Sequence, residues 1–83
     1  MKGLLVVDVQ NDFCPGGALA VPEGDKVVPV INALMDRFSV VVASKDWHPH
    51  ETVHFKKWPV HCVHNSKGAE FHPGIRSERI QQV

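Results

Sequence analysis

The chain has no long apolar run, no excess of either charge and only two cysteines, and each absence excludes a class of protein. No stretch reaches the 18 apolar residues that a membrane-spanning helix requires. Nine basic and nine acidic side chains balance, which argues against nucleic acid or an anionic membrane as a partner. Cys14 and Cys62 do not make a disulfide framework, so we expect free thiols. The apolar run 4–7 is too short for a signal peptide, which predicts a cytoplasmic protein.

Histidine is abundant by contrast, and its distribution is uneven. All six histidines lie within residues 48–72, and the first 47 residues contain none. Metal sites concentrate one residue type in this way, whereas solvated loops have no reason to do so. The chain of 83 residues makes one domain at most, with a marginal core.

The apolar pattern predicts one βαβ unit. Residues 3–9 are a continuous apolar run, typical of a strand that is covered on both faces in a parallel sheet. Residues 10–22 read as a loop, and residues 25–38 carry apolar side chains at helical spacing, with Pro29 in the first turn. Val40–Ser44 is the second strand, parallel to the first, with a right-handed crossover. Residues 47–74 show no periodicity, which indicates a functional loop, and residues 77–83 could begin a further element.

The candidate site follows from this topology. Parallel strands bring their carboxyl ends to one edge, where α/β proteins bind ligands, so Asp8 and Asp46 should face one crevice. The spacing of one carboxylate and three imidazoles suits a zinc, iron or manganese ion. The alternative is a set of solvated loop histidines. The proposed ligands are Asp46, His48, His54 and His61.

Several side chains near this site have a second interpretation. Asp8 is either catalytic or a strand-terminal residue that caps the amides of Asn11 or Asp12. Cys62 beside His61 resembles an activated nucleophile, but neighbouring residues of an extended loop point apart, so we do not assign it that role. The remaining histidines are expected at the surface or as contacts within loops: His50, His64 and His72.

Four motifs follow one another along the chain: VVDVQNDFCPGGALAVP at 6–22, KDWHP at 45–49, WPVHCV at 58–63 and GAEFHP at 68–73. In the same order, they resemble motifs of the nicotinamidase (pyrazinamidase) family of isochorismatase-like cysteine hydrolases. The resemblance covers essentially all of the chain but only the first part of the family's domain. It implies a parallel-sheet, three-layer α/β fold, of which residues 1–83 supply the first βαβ unit and the metal-binding loop. We therefore expect the amino-terminal part of a single hydrolase domain.

The resemblance also implies roles for individual residues. Asp46, His48, His54 and His61 match the ligands of one divalent metal ion, with zinc the first choice. Asp8 matches the acid that takes the proton from a cysteine nucleophile. Phe13 and Trp58 match aromatic side chains that sandwich a pyridine ring. The family's catalytic lysine and cysteine have no counterpart here, since Lys45 belongs to the metal-site motif.

The implied reaction is hydrolysis of nicotinamide to nicotinate and ammonia, a step of NAD salvage. The expected partner is a small-molecule substrate, nicotinamide, and we expect neither nucleic acid nor a membrane as a partner. A homo-oligomer is left open. One alternative is another isochorismatase-like cysteine hydrolase, which would lack the histidine set. The other is a catalytically inactive metal-binding fragment, and we expect the 83-residue chain alone to be inactive.

Overall fold

A computed structural model describes residues 2–83, without the side chain of His54, and shows a two-stranded parallel sheet crossed by one helix. The strands are β1 (Gly3–Val7) and β2 (Val40–Ser44), and the helix α1 (Val27–Met35) connects them. They pair in register from Gly3 opposite Val40 to Val7 opposite Ser44. The predicted parallel βαβ unit is confirmed.

The boundaries of β1 and α1 differ from the prediction for local reasons. β1 ends at Val7 because Asp8 has a φ of 56°, in the left-handed region, which interrupts extended pairing. A 3₁₀ turn (Gly24–Lys26) precedes α1, so the α-helical part is shorter than 25–38. Pro29 is the third residue of α1, where its missing N–H has no intrahelical partner.

The core lies between one face of the sheet and α1. Val6, Val41 and Ala43 are buried there against Val28 and Met35 of the helix. Within residues 2–83 the opposite face of β1 is open, with Leu5 and Val7 60% and 58% exposed, which agrees with the expectation that these residues supply only part of a three-layer fold. An apolar run requires layers on both sides of the sheet, and α1 supplies one.

An isolated parallel bridge forms beside β2, on the edge away from β1. A 3₁₀ turn (Ser77–Arg79) leads to Gln82, which pairs in parallel with Val42. The Gln81 N–H donates to the Val41 carbonyl at 2.8 Å, and the Ala43 N–H donates to the Gln82 carbonyl at 2.9 Å. The prediction that a further element begins in residues 77–83 is confirmed.

Residues 47–74 fold around the carboxyl edge of the sheet through 3₁₀ turns and isolated bridges. Gln10 pairs with Phe71, and His48 pairs with Val63. The 3₁₀ turns among the described residues of this region are Val53–Lys56 and Lys67–Ala69. Throughout residues 2–83, no helix has the length and apolar character needed to cross a bilayer.

Candidate metal centre

The site forms where β1 and β2 end side by side. Asp8 follows β1, and its backbone N–H donates to the Ser44 carbonyl at 3.2 Å. Burial raises the pKa of the Asp8 carboxyl, the negative charge of Asp46 raises it further, and a hydrogen bond with Ser44 partly opposes both. The Asn11 N–H donates to the Glu70 carbonyl at 2.9 Å, so Asp8 does not cap that amide.

Asp46 forms the centre of a three-residue cluster. One carboxylate oxygen, Oδ1, lies 2.9 Å from His48 Nε2, and the other, Oδ2, lies 3.1 Å from His61 Nε2. The ligating atoms of the three residues all lie within 4.8 Å of one another, close enough for one ion. The fourth predicted ligand, His54, has its side chain outside the described part of the structure.

The hydrogen bonds of His61 show that these residues fit a metal ion. His61 Nδ1 lies 2.7 Å from the carbonyl oxygen of Pro59, which can only accept, so Nδ1 carries a proton. In the neutral ring, the lone pair on Nε2 then faces the Asp46 carboxylate across 3.1 Å. Two acceptors at this distance need a proton or a cation between them. A zinc-ligating histidine commonly has this arrangement, with its second nitrogen bonded to a carbonyl.

Aromatic side chains flank the cluster, which lines an open pocket of about 310 Å³. This volume lies at the small end of the range for small-molecule sites, about 300–1,000 Å³. The edge of Phe13 packs on His61, with ring centroids 5.6 Å apart, and Phe55 contacts both His48 and His61. Trp58 is 54% exposed at the opening. The lining residues are Phe13, Leu19, Asp46, His48, Trp58 and His61.

Neither cysteine is suited to act as a nucleophile. The Cys62 side chain is fully buried, and its backbone has a φ of 48°. Burial, with smaller contributions from the charges of Asp46, Asp12 and Asp8, raises the pKa of the Cys62 thiol to about 12. Cys14 is also buried, and burial raises its thiol pKa. Because the thiolate is the reacting form, burial and the raised pKa values disfavour nucleophilic attack by either thiol.

The other three histidines make contacts within loops, as expected. His50 and His64 pack edge to face with ring centroids 5.1 Å apart, and His72 Nδ1 accepts a hydrogen bond from the Gly74 N–H at 3.0 Å. The Lys45 ammonium lies 4.4 Å from the ring centroid of Phe71.

Two residues near the cluster were missed by sequence reasoning. Gln10 is fully buried and bonds to the backbone of Asp46. Asp12 accepts a hydrogen bond from the Cys62 N–H at 2.7 Å, next to His61. The available signal was the group of polar side chains at 8 and 10–12, immediately beyond a strand that ends at a ligand-binding edge.

Comparison with known proteins identifies the family of this chain and several relatives. The isochorismatase domain model matches residues 2–83. The nicotinamidase of Escherichia coli is 44% identical over 105 residues, covering 99% of this chain and 49% of that protein. The nicotinamidase/pyrazinamidase of Mycobacterium tuberculosis is 40% identical, covering 100% of this chain and 50% of the relative. The chain therefore spans about half the length of the curated relatives it matches.

Solved structures show the same fold. A nicotinamidase/pyrazinamidase of Acinetobacter baumanii superimposes with a TM-score of 0.92 at 37% identity, over 96% of this chain and 48% of its own. The pyrazinamidase of Pyrococcus horikoshii, in complex with zinc, superimposes with a TM-score of 0.85 at 44% identity, over 98% of this chain and 49% of its own. PnC1 from L. infantum, in complex with nicotinate, superimposes with a TM-score of 0.91 at 40% identity, over 98% of this chain and 44% of its own. The predicted isochorismatase-like α/β fold is confirmed.

Proposed function

This chain belongs to the isochorismatase domain family, and we propose that residues 1–83 form the amino-terminal part of a nicotinamidase domain. The complete domain would hydrolyse nicotinamide to nicotinate and ammonia, as a step of NAD salvage in the cytoplasm. Relatives that are 40–44% identical are nicotinamidases, and a structural neighbour binds nicotinate.

One observation carries the proposal: a cluster that can bind a metal ion lies in an aromatic pocket. Asp46, His48 and His61 line the same cavity as Phe13 and Trp58. A flat pyridine ring stacks on aromatic side chains, and its nitrogen lone pair is a ligand that a metal ion accepts. The pocket thus offers partners for both the ring and the ring nitrogen of nicotinamide.

Asp46, His48 and His61 would hold the ion, with His54 as the proposed fourth ligand. We propose zinc, since two imidazoles and a carboxylate are common zinc ligands and a 44% identical neighbour binds zinc. When bound, the ion supplies a fixed positive charge that orients the substrate. The buried His61 and the Pro59 carbonyl fix one ligand nitrogen toward that position.

Asp8 is the proposed general base. Its carboxyl lies at the same sheet edge as the cluster, and burial raises its pKa toward the range in which a carboxylate exchanges protons efficiently. A carboxamide resists attack, so hydrolysis also needs an activated nucleophile. Cys14 and Cys62 are both buried with raised thiol pKa values, so we propose that the attacking thiol lies outside these 83 residues.

The cluster also bears on the alternative functions. An isochorismatase-like hydrolase without the histidine set would have no shared role for His48 and His61. In this chain, however, the Nε2 atoms of His48 and His61 lie 2.9 Å and 3.1 Å from the Asp46 carboxylate. The other alternative is an inactive metal-binding fragment. It differs from the amino-terminal part of a nicotinamidase in that it would not support turnover when it forms part of a complete domain.

A chimaera tests the proposed function directly. Residues 1–83 would replace the matching half of the Escherichia coli relative, and ammonia release from nicotinamide would be measured. We expect turnover by the chimaera and none by the 83-residue chain with zinc. Asp8→Ala in the chimaera should abolish turnover with its zinc content unchanged.

Two results would contradict this assignment. A folded, zinc-loaded chimaera without activity would show that residues 1–83 do not supply a nicotinamidase site. Ammonia release by the isolated chain that disappears in Cys62→Ala would instead identify Cys62 as the nucleophile. The variant Asp25→Ala serves as the control, since it removes an acidic side chain far from the cluster along the chain.

A further inference from the structure

The segment that follows β1 contacts both of the chain stretches that carry metal ligands. The described cluster joins Asp46 and His48, which follow β2, to His61, which lies 15 residues beyond Asp46. Backbone hydrogen bonds of His48 with Cys62 and His64 connect the two stretches directly. Two side chains of the segment 9–13 make further bonds to them, although that segment supplies no ligand of the cluster.

Gln10 binds the backbone of Asp46 on both sides of the residue. Its Oε1 accepts from the Asp46 N–H at 2.8 Å, and its Nε2 donates to the Asp46 carbonyl at 2.8 Å. The same Nε2 donates to the Ala69 carbonyl, also at 2.8 Å. Because one partner donates and two accept, only this orientation of the amide satisfies all three. The side chain is fully buried, so water cannot replace any of these bonds.

Asp12 makes the corresponding contact with the second stretch. Its Oδ2 accepts from the Cys62 N–H at 2.7 Å, and its Oδ1 accepts from the Ala18 N–H at 3.2 Å. Cys62 has a left-handed φ of 48°, an uncommon conformation for a residue with a side chain. A charged acceptor on this N–H stabilises that conformation, and with it the turn of the backbone immediately after His61. Gly68 leaves room for the carboxylate, since a Cβ there would overlap Asp12.

We propose that Gln10 and Asp12 are positioning residues for the metal centre. Gln10 fixes the backbone of Asp46, and Asp12 fixes the residue after His61, so the ligand atoms converge before an ion arrives. Partners that orient metal ligands typically change metal affinity 10- to 100-fold when removed. The inference rests on the proposed metal site, but it concerns residues that belong neither to the ligand cluster nor to the lining of the pocket.

Metal binding by the 83-residue chain tests the proposal without an activity assay. Zinc affinity would be measured by competition with a chromophoric chelator, and coordination geometry by the visible spectrum of the cobalt-loaded chain. The variants are Gln10→Asn, which retains the amide but withdraws it by one methylene, and Asp12→Ala. Asp12→Asn is the conservative rescue, because its amide oxygen can still accept from the Cys62 N–H. Asn11→Ala is the matched control.

The control removes a bond of similar length from the same segment. Asn11 donates to the Lys67 carbonyl at 2.8 Å on an exposed surface, away from both ligand stretches. We expect Asn11→Ala to bind zinc as the wild type does. Gln10→Asn and Asp12→Ala should bind about 10- to 100-fold more weakly, with an altered cobalt spectrum. Asp12→Asn should recover most of the loss.

A purely structural role gives a different result. Folded variants that are less stable without metal, yet have wild-type zinc affinity and cobalt spectra, would overturn the proposal. Equal weakening in Asn11→Ala would also overturn it. If Gln10→Asn does not fold, the comparison of Asp12→Ala with Asp12→Asn decides. A folded wild-type chain that binds no zinc would refute the metal site itself, which separates that failure from a failure of the positioning residues.

Discussion

Replacing His48 by alanine should remove most of the thermal stabilisation that zinc confers on this chain. The cluster links the stretch after β2 to His61 across a loop with 3₁₀ turns as its regular structure. A ligand that binds only the folded state stabilises it by about 2.7 kcal/mol at a concentration 100 times its Kd. For a domain of this size, each kcal/mol raises Tm by about 4–8 °C. Zinc at that concentration should therefore raise the Tm of the wild type by about 10–20 °C.

The His48→Ala variant should show a much smaller shift at the same zinc concentration. His48 Nε2 lies 2.9 Å from Asp46 Oδ1, so its loss removes a ligand rather than an outer partner. If affinity falls at least 100-fold, which is the upper range for losing an outer partner, the stabilisation drops to about 0.4 kcal/mol. The Tm shift is then about 2–3 °C. Each variant is compared with its own metal-free form, so any change in intrinsic stability cancels.

The neighbouring histidine gives a matched control for this experiment. His50 lies in the same loop and is exposed, and its ring contacts His64 rather than the cluster. His50→Ala should retain the full zinc-dependent shift in a differential scanning measurement. An equal shift in wild type and His48→Ala would refute the assignment of His48 as a ligand. Loss of the shift in His50→Ala would show that the loop, and not the cluster, responds to zinc.

Two further predictions concern the pocket and the thiols. In the chimaera, Trp58→Ala should raise KM for nicotinamide about fivefold, because a lost stacking contact costs about 1 kcal/mol. Trp58→Phe should retain much of the wild-type affinity for nicotinamide. An unchanged KM in Trp58→Ala would show that Trp58 is only a packing residue. Cys62 should react with a thiol reagent far more slowly in the native chain than in the unfolded chain, because it is fully buried with a pKa of about 12. Rapid modification of Cys62 at neutral pH, without loss of structure, would contradict the burial of its thiol.

Much of the fold followed from local pattern. The apolar runs of β1 and β2 and the helical spacing between them predicted a parallel βαβ unit, since each pattern matches one period of regular structure. Pro29 identified the first turn of α1, because proline is tolerated only there within a helix. The apolar run of β1 indicates that both faces of the strand need covering, but it does not specify which residues cover them, and Leu5 and Val7 remain exposed within residues 2–83.

The candidate site divides in the same way. The order and direction of the strands predicted by themselves that Asp8 and Asp46 lie at one edge of the sheet. The clustering and spacing of the histidines predicted that His48, His54 and His61 join Asp46 there. Only the tertiary structure decided that Gln10 is buried against the backbone of Asp46, and that Asp12 binds the N–H next to His61. Those bonds join residues 36 and 50 positions apart in the chain. Hydrogen bonds over such separations depend on how loops without periodicity pack, which no local pattern in the sequence encodes.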